Sequence, residues 1–226
     1  MDGKVVVVTG ASGALGKVVA EAALARGAKV AGVDHAASQI PATANRIEFG
    51  GVDLSDAVQA KKAIDAAAAR FGRLDALINI AGAFAFETVA EGDPTTWQRM
   101  YAINVLTTLN ASRSALPHLA ASRSARIINV GAMAALQAGA GMGAYAASKA
   151  GVHRLTEALA AEWKGKITVN AVLPSIIDTP ANRASMAKAD FSKWVTPQEL
   201  AEVILFLASD AASAVTGALL PVTGRV

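Results

Sequence analysis

The chain has 226 residues, 53% of them hydrophobic and 17% charged, with a net charge of +3 and no cysteine. That length fits one α/β domain with a large core, and the missing thiols exclude disulfides and cysteine chemistry. The basic residues are scattered without interleaved aromatics, which argues against nucleic acid as a partner, and no apolar run reaches the ~18 residues that span a bilayer.

Residues 4–9 read Lys-Val-Val-Val-Val-Thr, a β-branched run expected of a strand buried on both faces. No charged leader with a cleavage site precedes it, so a cytoplasmic protein is expected. A glycine loop follows, Gly10-Ala11-Ser12-Gly13-Ala14-Leu15-Gly16, and then a helical stripe through Leu15, Val18, Val19 and Ala22 that ends at Arg26-Gly27. A second strand over 29–34 completes a βαβ unit. Further strands are expected at 46–49, 76–80, 125–130, 167–173 and 218–222. Helices are expected at 57–70, 94–121, 145–163 and 197–208. The alternation predicts a single-domain Rossmann-type, doubly wound α/β fold of about seven mainly parallel strands, with helices on both faces. There is no internal repeat or linker.

The loop has a chemical use. Glycines permit a tight turn and let backbone N–H groups approach a pyrophosphate at the positive end of a helix. Asp34 lies 18 residues beyond Gly16, where a carboxylate can accept hydrogen bonds from an adenosine ribose. The same carboxylate would repel a 2′-phosphate, so NAD(H) is expected over NADP(H). A Walker A loop is absent, because Val18 follows Gly16-Lys17. No Gly-x-Ser-x-Gly elbow occurs. His35, His118 and His153 lack metal-ligand spacing and read as surface or helix-edge residues, so no metal is expected.

Tyr145 and Lys149 are i and i+4 on the 145–163 helix and share a face. An ammonium beside a phenol stabilises the phenolate, so Lys149 is expected to lower the Tyr145 pKa from its usual ~10. Such a tyrosine can act as general acid or base.

Thr9-Gly10, Asn79-Ile80-Ala81-Gly82, Asn104 and Tyr145-x3-Lys149 together resemble the short-chain dehydrogenase/reductase family over essentially the whole chain. The resemblance implies NAD(P)-dependent hydride transfer to or from a small molecule, with Tyr145 as proton donor or acceptor. It implies that Lys149 binds the nicotinamide ribose and that Asn104 holds a water in a proton relay. Gly10, Ser12, Gly13, Ala14, Leu15 and Gly16 would hold the pyrophosphate, and Val52 and Asp53 would flank the adenine. Asn79, Ala81 and Gly82 would line the adenosine side; Pro174, Ile177 and Thr179 would cover the nicotinamide. A homodimer or homotetramer is implied too, with helices 94–121 and 145–163 as candidate contacts.

Two departures narrow the expectation. Most short family members have a serine thirteen residues before the tyrosine; here Ala132 holds that position. Ala14 also stands where many short members have glycine. Both features, with the segment from Asp178 through Asn182, Arg183, Phe191 and Trp194, resemble the dihydropteridine reductase branch. That branch reduces a quinonoid dihydropterin with NADH. The expected activity is therefore reduction of a small conjugated substrate. A carbonyl reductase or alcohol dehydrogenase lacking the serine, and an NAD-binding protein without turnover, are the alternatives. Residues 180–195 are expected to form a substrate lid, with Phe191 and Trp194 against the ligand.

Overall fold

The computed structural model describes all 226 residues. Seven strands, β1 (Val5–Thr9), β2 (Lys29–Val33), β3 (Arg46–Phe49), β4 (Ala76–Asn79), β5 (Ala125–Val130), β6 (Ile167–Pro174) and β7 (Leu219–Val222), form one sheet in the order β3-β2-β1-β4-β5-β6-β7. Every pairing is parallel. Apolar side chains cover both faces of the central strands, as the continuous Val and Ile runs require. Helices α1 (Ala14–Ala25) and α7 (Pro197–Leu207) bury Val19, Ala23, Leu200 and Ile204 against one face. Helices α2 (Ala57–Phe71), α4 (Thr107–Leu119) and α5 (Gly143–Glu162) bury Ile64, Ala111, Ala115 and Leu159 against the other.

The strand order reverses between β1 and β4, which opens a crevice beyond their carboxyl ends, the usual ligand position in such sheets. One segment departs from expectation. Residues 94–121 are not one regular helix: α3 (Pro94–Tyr101) passes through a π-helical turn (Ala102–Leu106) before α4 begins. The widened turn holds Asn104, which is fully buried. Wide turns of this kind are frequent at functional sites.

Candidate active site

The crevice is a cavity of about 800 Å³ between the ends of β1, β2 and β4. Its lining includes Gly10, Ser12, Gly13, Ala14, Leu15, Gly16, Asp34, Val52, Asp53, Ala81, Gly82 and Thr179, all expected from the sequence. The glycines are required by contact. Gly10 has φ +67°, and a Cβ there would lie 2.8 Å from the Ala81 nitrogen. A Cβ on Gly16 would lie 2.0 Å from the Gly10 carbonyl oxygen. The start of α1 is therefore pressed onto β1 more closely than any side chain allows. Asp34 braces the loop, accepting from the Ser12 N–H at 2.8 Å and from the Ala36 N–H at 2.9 Å. Thr9 Oγ1 accepts from the N–H groups of Ile80 and Ala81, both at 3.1 Å, fixing the end of β4.

Asn79 is turned away from the crevice. It stands in register with Thr9 on β1 and Asn129 on β5. Its amide donates to Asn129 Oδ1 at 2.9 Å and Ser112 Oγ at 3.1 Å, in the interior. Its role is to join β4, β5 and α4, which corrects the expectation that its side chain lines the adenosine side.

The expected reacting groups, Tyr145, Lys149 and Asn104, lie beyond this lining, the last two next to Gly82. Gly82 connects the two regions: a Cβ there would lie 2.5 Å from Asn104 Oδ1 and 3.3 Å from Lys149 Nζ. Lys149 is 5% exposed and donates to the Val130 carbonyl at 2.8 Å. Asn104 exchanges hydrogen bonds with the backbone of Ala83, both at 3.0 Å, and donates to Ser148 Oγ at 2.9 Å. It thus pins the loop after β4 to α5 with its side chain. The Phe84 ring meets Tyr145 edge to face, with centroids 4.9 Å apart.

The electrostatics differ from the sequence expectation. Burial pushes the Tyr145 phenol up to about 12 and pulls the Lys149 ammonium down to about 8. Removal from water disfavours the charged form of each group. Here that cost exceeds any help Lys149 gives the phenolate, so in this state Tyr145 is a held proton rather than an ionised base.

Residues 4–190 match the family model described as "short chain dehydrogenase". The chain belongs to the short-chain dehydrogenase/reductase family. It is similar to cis-4-hydroxycyclohexanecarboxylate dehydrogenase of Sinomonas cyclohexanicum, 36% identical over 98% of this chain and 95% of that one. It is similar also to 2-(S)-hydroxypropyl-CoM dehydrogenase 3 of Xanthobacter autotrophicus, 33% identical over 99% and 96%. Among solved structures, a short-chain dehydrogenase/reductase from Brucella melitensis superposes with a TM-score of 0.92 at 30% identity, covering 99% of this chain and 96% of that one. The ligand-free aldohexose dehydrogenase of Thermoplasma acidophilum superposes with a TM-score of 0.89, also at 30% identity, covering 99% and 94%. The protein is an NAD(P)-dependent oxidoreductase of this family. The braced glycine cradle and the adjoining carboxylate fit a dinucleotide.

In this short-chain dehydrogenase, Thr179 caps α6 (Pro180–Ser185) by accepting from the Asn182 N–H. Ile177 pairs with Val195 across the base of the segment, while Pro174 is buried at the end of β6. Arg183 grips Asp178 through two hydrogen bonds of 2.5 and 2.7 Å and lies over the Phe191 ring. Trp194 is only 3% exposed, with Phe191 packed against it at 4.8 Å. Trp194 therefore anchors the segment in the core, which corrects its expected role as a ligand contact. His153 is a second correction. It is 2% exposed, behind β5, whereas His118 is half-buried against Asp65 and His35 lines the cavity. Ile80, within the expected stretch 79–82, lines the cavity too, and Ile103, Thr107, Leu54 and Ser55 line it without having been expected. No helix is long and apolar enough to cross a membrane.

Proposed function

We propose that this chain passes a hydride from NADH to a small conjugated acceptor, of which a quinonoid dihydropterin is the leading case, with Tyr145 giving the proton. The observation that carries the reading is Ala132, 4% exposed at the end of β5 that Lys149 grips. A methyl group stands where a carbonyl reductase places a hydroxyl, and loss of such a donor costs about 10²–10³ in rate when an oxyanion forms. A conjugated ring spreads the incoming electron pair, so one proton donor suffices. The resemblance of residues 178–194 to dihydropteridine reductase supports the same substrate class.

A bound nicotinamide coenzyme supplies the hydride, two electrons in all, and Tyr145 supplies the matching proton. Held near 12, the phenol is fully protonated at neutral pH and keeps its proton until an acceptor atom arrives. Lys149, near 8, is mainly cationic at neutral pH and stands ready to steady the phenolate and hold the ribose hydroxyls. The loop of Gly10, Gly13 and Gly16 would take the pyrophosphate, with Asp34 at the adenosine ribose. The backbone of 174–179 would cover the nicotinamide, and residues 180–195, anchored at the buried Trp194, would close as a lid. NADH is preferred because the cavity lining contains Asp34 and Asp53 but no lysine or arginine for a 2′-phosphate. We infer a homodimer or homotetramer. Ala111, Ala115 and Ala160 of α4 and α5 face the sheet, so the contact surface is placed on the outer side of this layer, where α3 exposes Trp97 and Tyr101.

A second reading, an alcohol dehydrogenase or carbonyl reductase working without the serine, draws on Asn104 at its family position and on relatives named for alcohol oxidation. NADH consumption with quinonoid dihydropterin, beside ketones and quinones, separates the two. Turnover of the pterin, cut about 10²–10⁴-fold in Tyr145→Phe with NADH still bound, supports the first reading. Ala132→Ser should then gain on ketones and lose on the pterin. Turnover of ketones alone, or a clear NADPH preference, overturns the substrate or the coenzyme assignment respectively. NADH binding without consumption of any acceptor removes the protein from catalysis.

A further inference from the structure

Three consecutive residues at the end of β5 are each held by a different partner, two of them on α5 and one on β6. The Val130 carbonyl accepts from Lys149 Nζ at 2.8 Å. The Gly131 N–H donates to the Val172 carbonyl of β6 at 2.9 Å. The Ala132 N–H donates to His153 Nε2 at 3.3 Å. Lys149 and His153 lie one turn apart on α5, on the face that also carries Tyr145. All of these side chains are buried: Val130 is 8% exposed, Ala132 4%, Lys149 5% and His153 2%.

The imidazole also shapes the turn. A Cβ on Gly131 would fall 2.4 Å from His153 Nε2 and 2.7 Å from its Cδ2. Gly131 is therefore the one residue type that lets the chain lie against this ring. Because Nε2 accepts, the ring proton sits on Nδ1, a tautomer assigned from the hydrogen bond. Burial, reinforced by Arg154 and Lys149, holds the ring neutral with its pKa near 4, so the acceptor persists at neutral pH.

We propose that His153 is a positioning residue for hydride transfer: it fixes the Gly131–Ala132 backbone and, through Val130, the ammonium of Lys149. Position 132 has no side-chain hydroxyl with which to fasten itself. Its backbone N–H does the fastening instead, onto the helix that bears the proton donor. Freed from His153, the strand end would drift and carry the Lys149 acceptor with it. Misplacement of about 1 Å at a reacting centre costs on the order of 10²-fold in rate.

The proposal rests on the hydride-transfer reading, and two measurements keep their failures apart. The first uses the free protein: hydrogen exchange of the Ala132 amide, read by NMR. In His153→Leu this amide should exchange at least ~10-fold faster while that of Ile128, deeper in β5, is unchanged. In His153→Gln, whose side-chain oxygen can still accept, protection should return. The second is steady-state turnover with whichever acceptor the protein reduces. His153→Leu should lose ~10–100-fold in kcat with the NADH Kd within about twofold of the parent, and His153→Gln should recover most of that loss. If His153→Leu fails to fold, His153→Phe keeps the ring volume without the acceptor. Unchanged Ala132 exchange, or faster exchange with kcat intact, overturns the proposal while hydride transfer stands. Equal kcat losses in the leucine and glutamine variants, tracking their loss of Tm, show a structural role only and overturn it too. If the parent reduces no acceptor, the hydride-transfer reading falls and takes this one with it.

Discussion

The two ends of the crevice are made by opposite means. The proposed coenzyme end, at β1, β2 and β4, is main chain held in place by short side chains: two glycines with no room for a Cβ, a threonine hydroxyl gathering two N–H groups, and a carboxylate bracing a loop. The proposed reacting end, at β5 and α5, is built from ionisable side chains, the half-buried Tyr145 and the buried Lys149 and His153. Tyr145, Lys149 and His153 are shifted to about 12, 8 and 4, each by burial first. The first end recognises by shape. The second stores unfavourable electrostatics, a cost that clusters at sites of chemistry and is consistent with the proposed role. Substitutions should therefore fail differently at the two ends.

The largest expected effect is at the glycine cradle. Gly16→Ala places a methyl 2.0 Å from the Gly10 carbonyl, so helix and loop must separate. NADH affinity, measured by fluorescence titration, should fall by ~100-fold or more, with the environment of Tyr145 untouched. Binding within about threefold of the parent would mean that the cradle is softer than its contacts indicate.

Lys149→Met should do the reverse. Turnover should collapse while Tm rises, since a buried ammonium with one protein acceptor is exchanged for an apolar side chain of similar length. Folding lowers the Lys149 pKa from 10.5 to about 8, so the unfolded chain binds this proton more tightly than the folded protein does. The destabilisation is complete below about pH 8 and fades as pH climbs toward 10.5. The Tm advantage of the variant should shrink across that window. An advantage independent of pH would assign it to packing alone.

The lid gives a smaller contrast. Trp194→Ala should destabilise by ~3–5 kcal/mol, the usual cost of emptying a buried aromatic site, read as a fall in Tm. Phe191→Ala, at a half-buried position, should raise KM severalfold with little change in Tm. Equal Tm losses would make the segment a fixed wall rather than a lid.

Much of this was legible in the sequence, and unevenly so between the two ends. Strands buried on both faces announce themselves as Val and Ile runs, and β1 to β7 fall within a residue or two of the expected boundaries. The glycine loop and Asp34 were legible because spacing places them at strand ends, while Val52 and Asp53 were legible only through the family resemblance. The π turn at Asn104 was not, since the residues 102–106 suit an α-helix equally well and only a tertiary clamp on Ala83 selects the wider turn. Asn79 misled because strand alternation sends its side chain into the interior, toward Asn129. The sign of the Tyr145 shift depends on burial, which an i, i+4 spacing does not report. His153 carried one unused signal: it extends the Tyr145, Lys149 stripe by another turn. Its partner at Ala132 is 21 residues away and contributes only a backbone group.

The hydrogen bonds that Asp34 accepts from the Ser12 and Ala36 amides have a practical consequence for altering coenzyme choice. Under the proposed NADH preference, replacing the carboxylate with a small neutral residue would remove a repulsion of the 2′-phosphate, but it would also release the glycine loop into a wider set of conformations. Ordering that loop again on binding carries an entropic penalty that falls on NADH and NADPH alike. A single substitution at 34 should therefore weaken both coenzymes before it favours either. A successful switch needs a second change that restores loop rigidity, such as a neutral side chain at 34 still able to accept from the Ser12 amide.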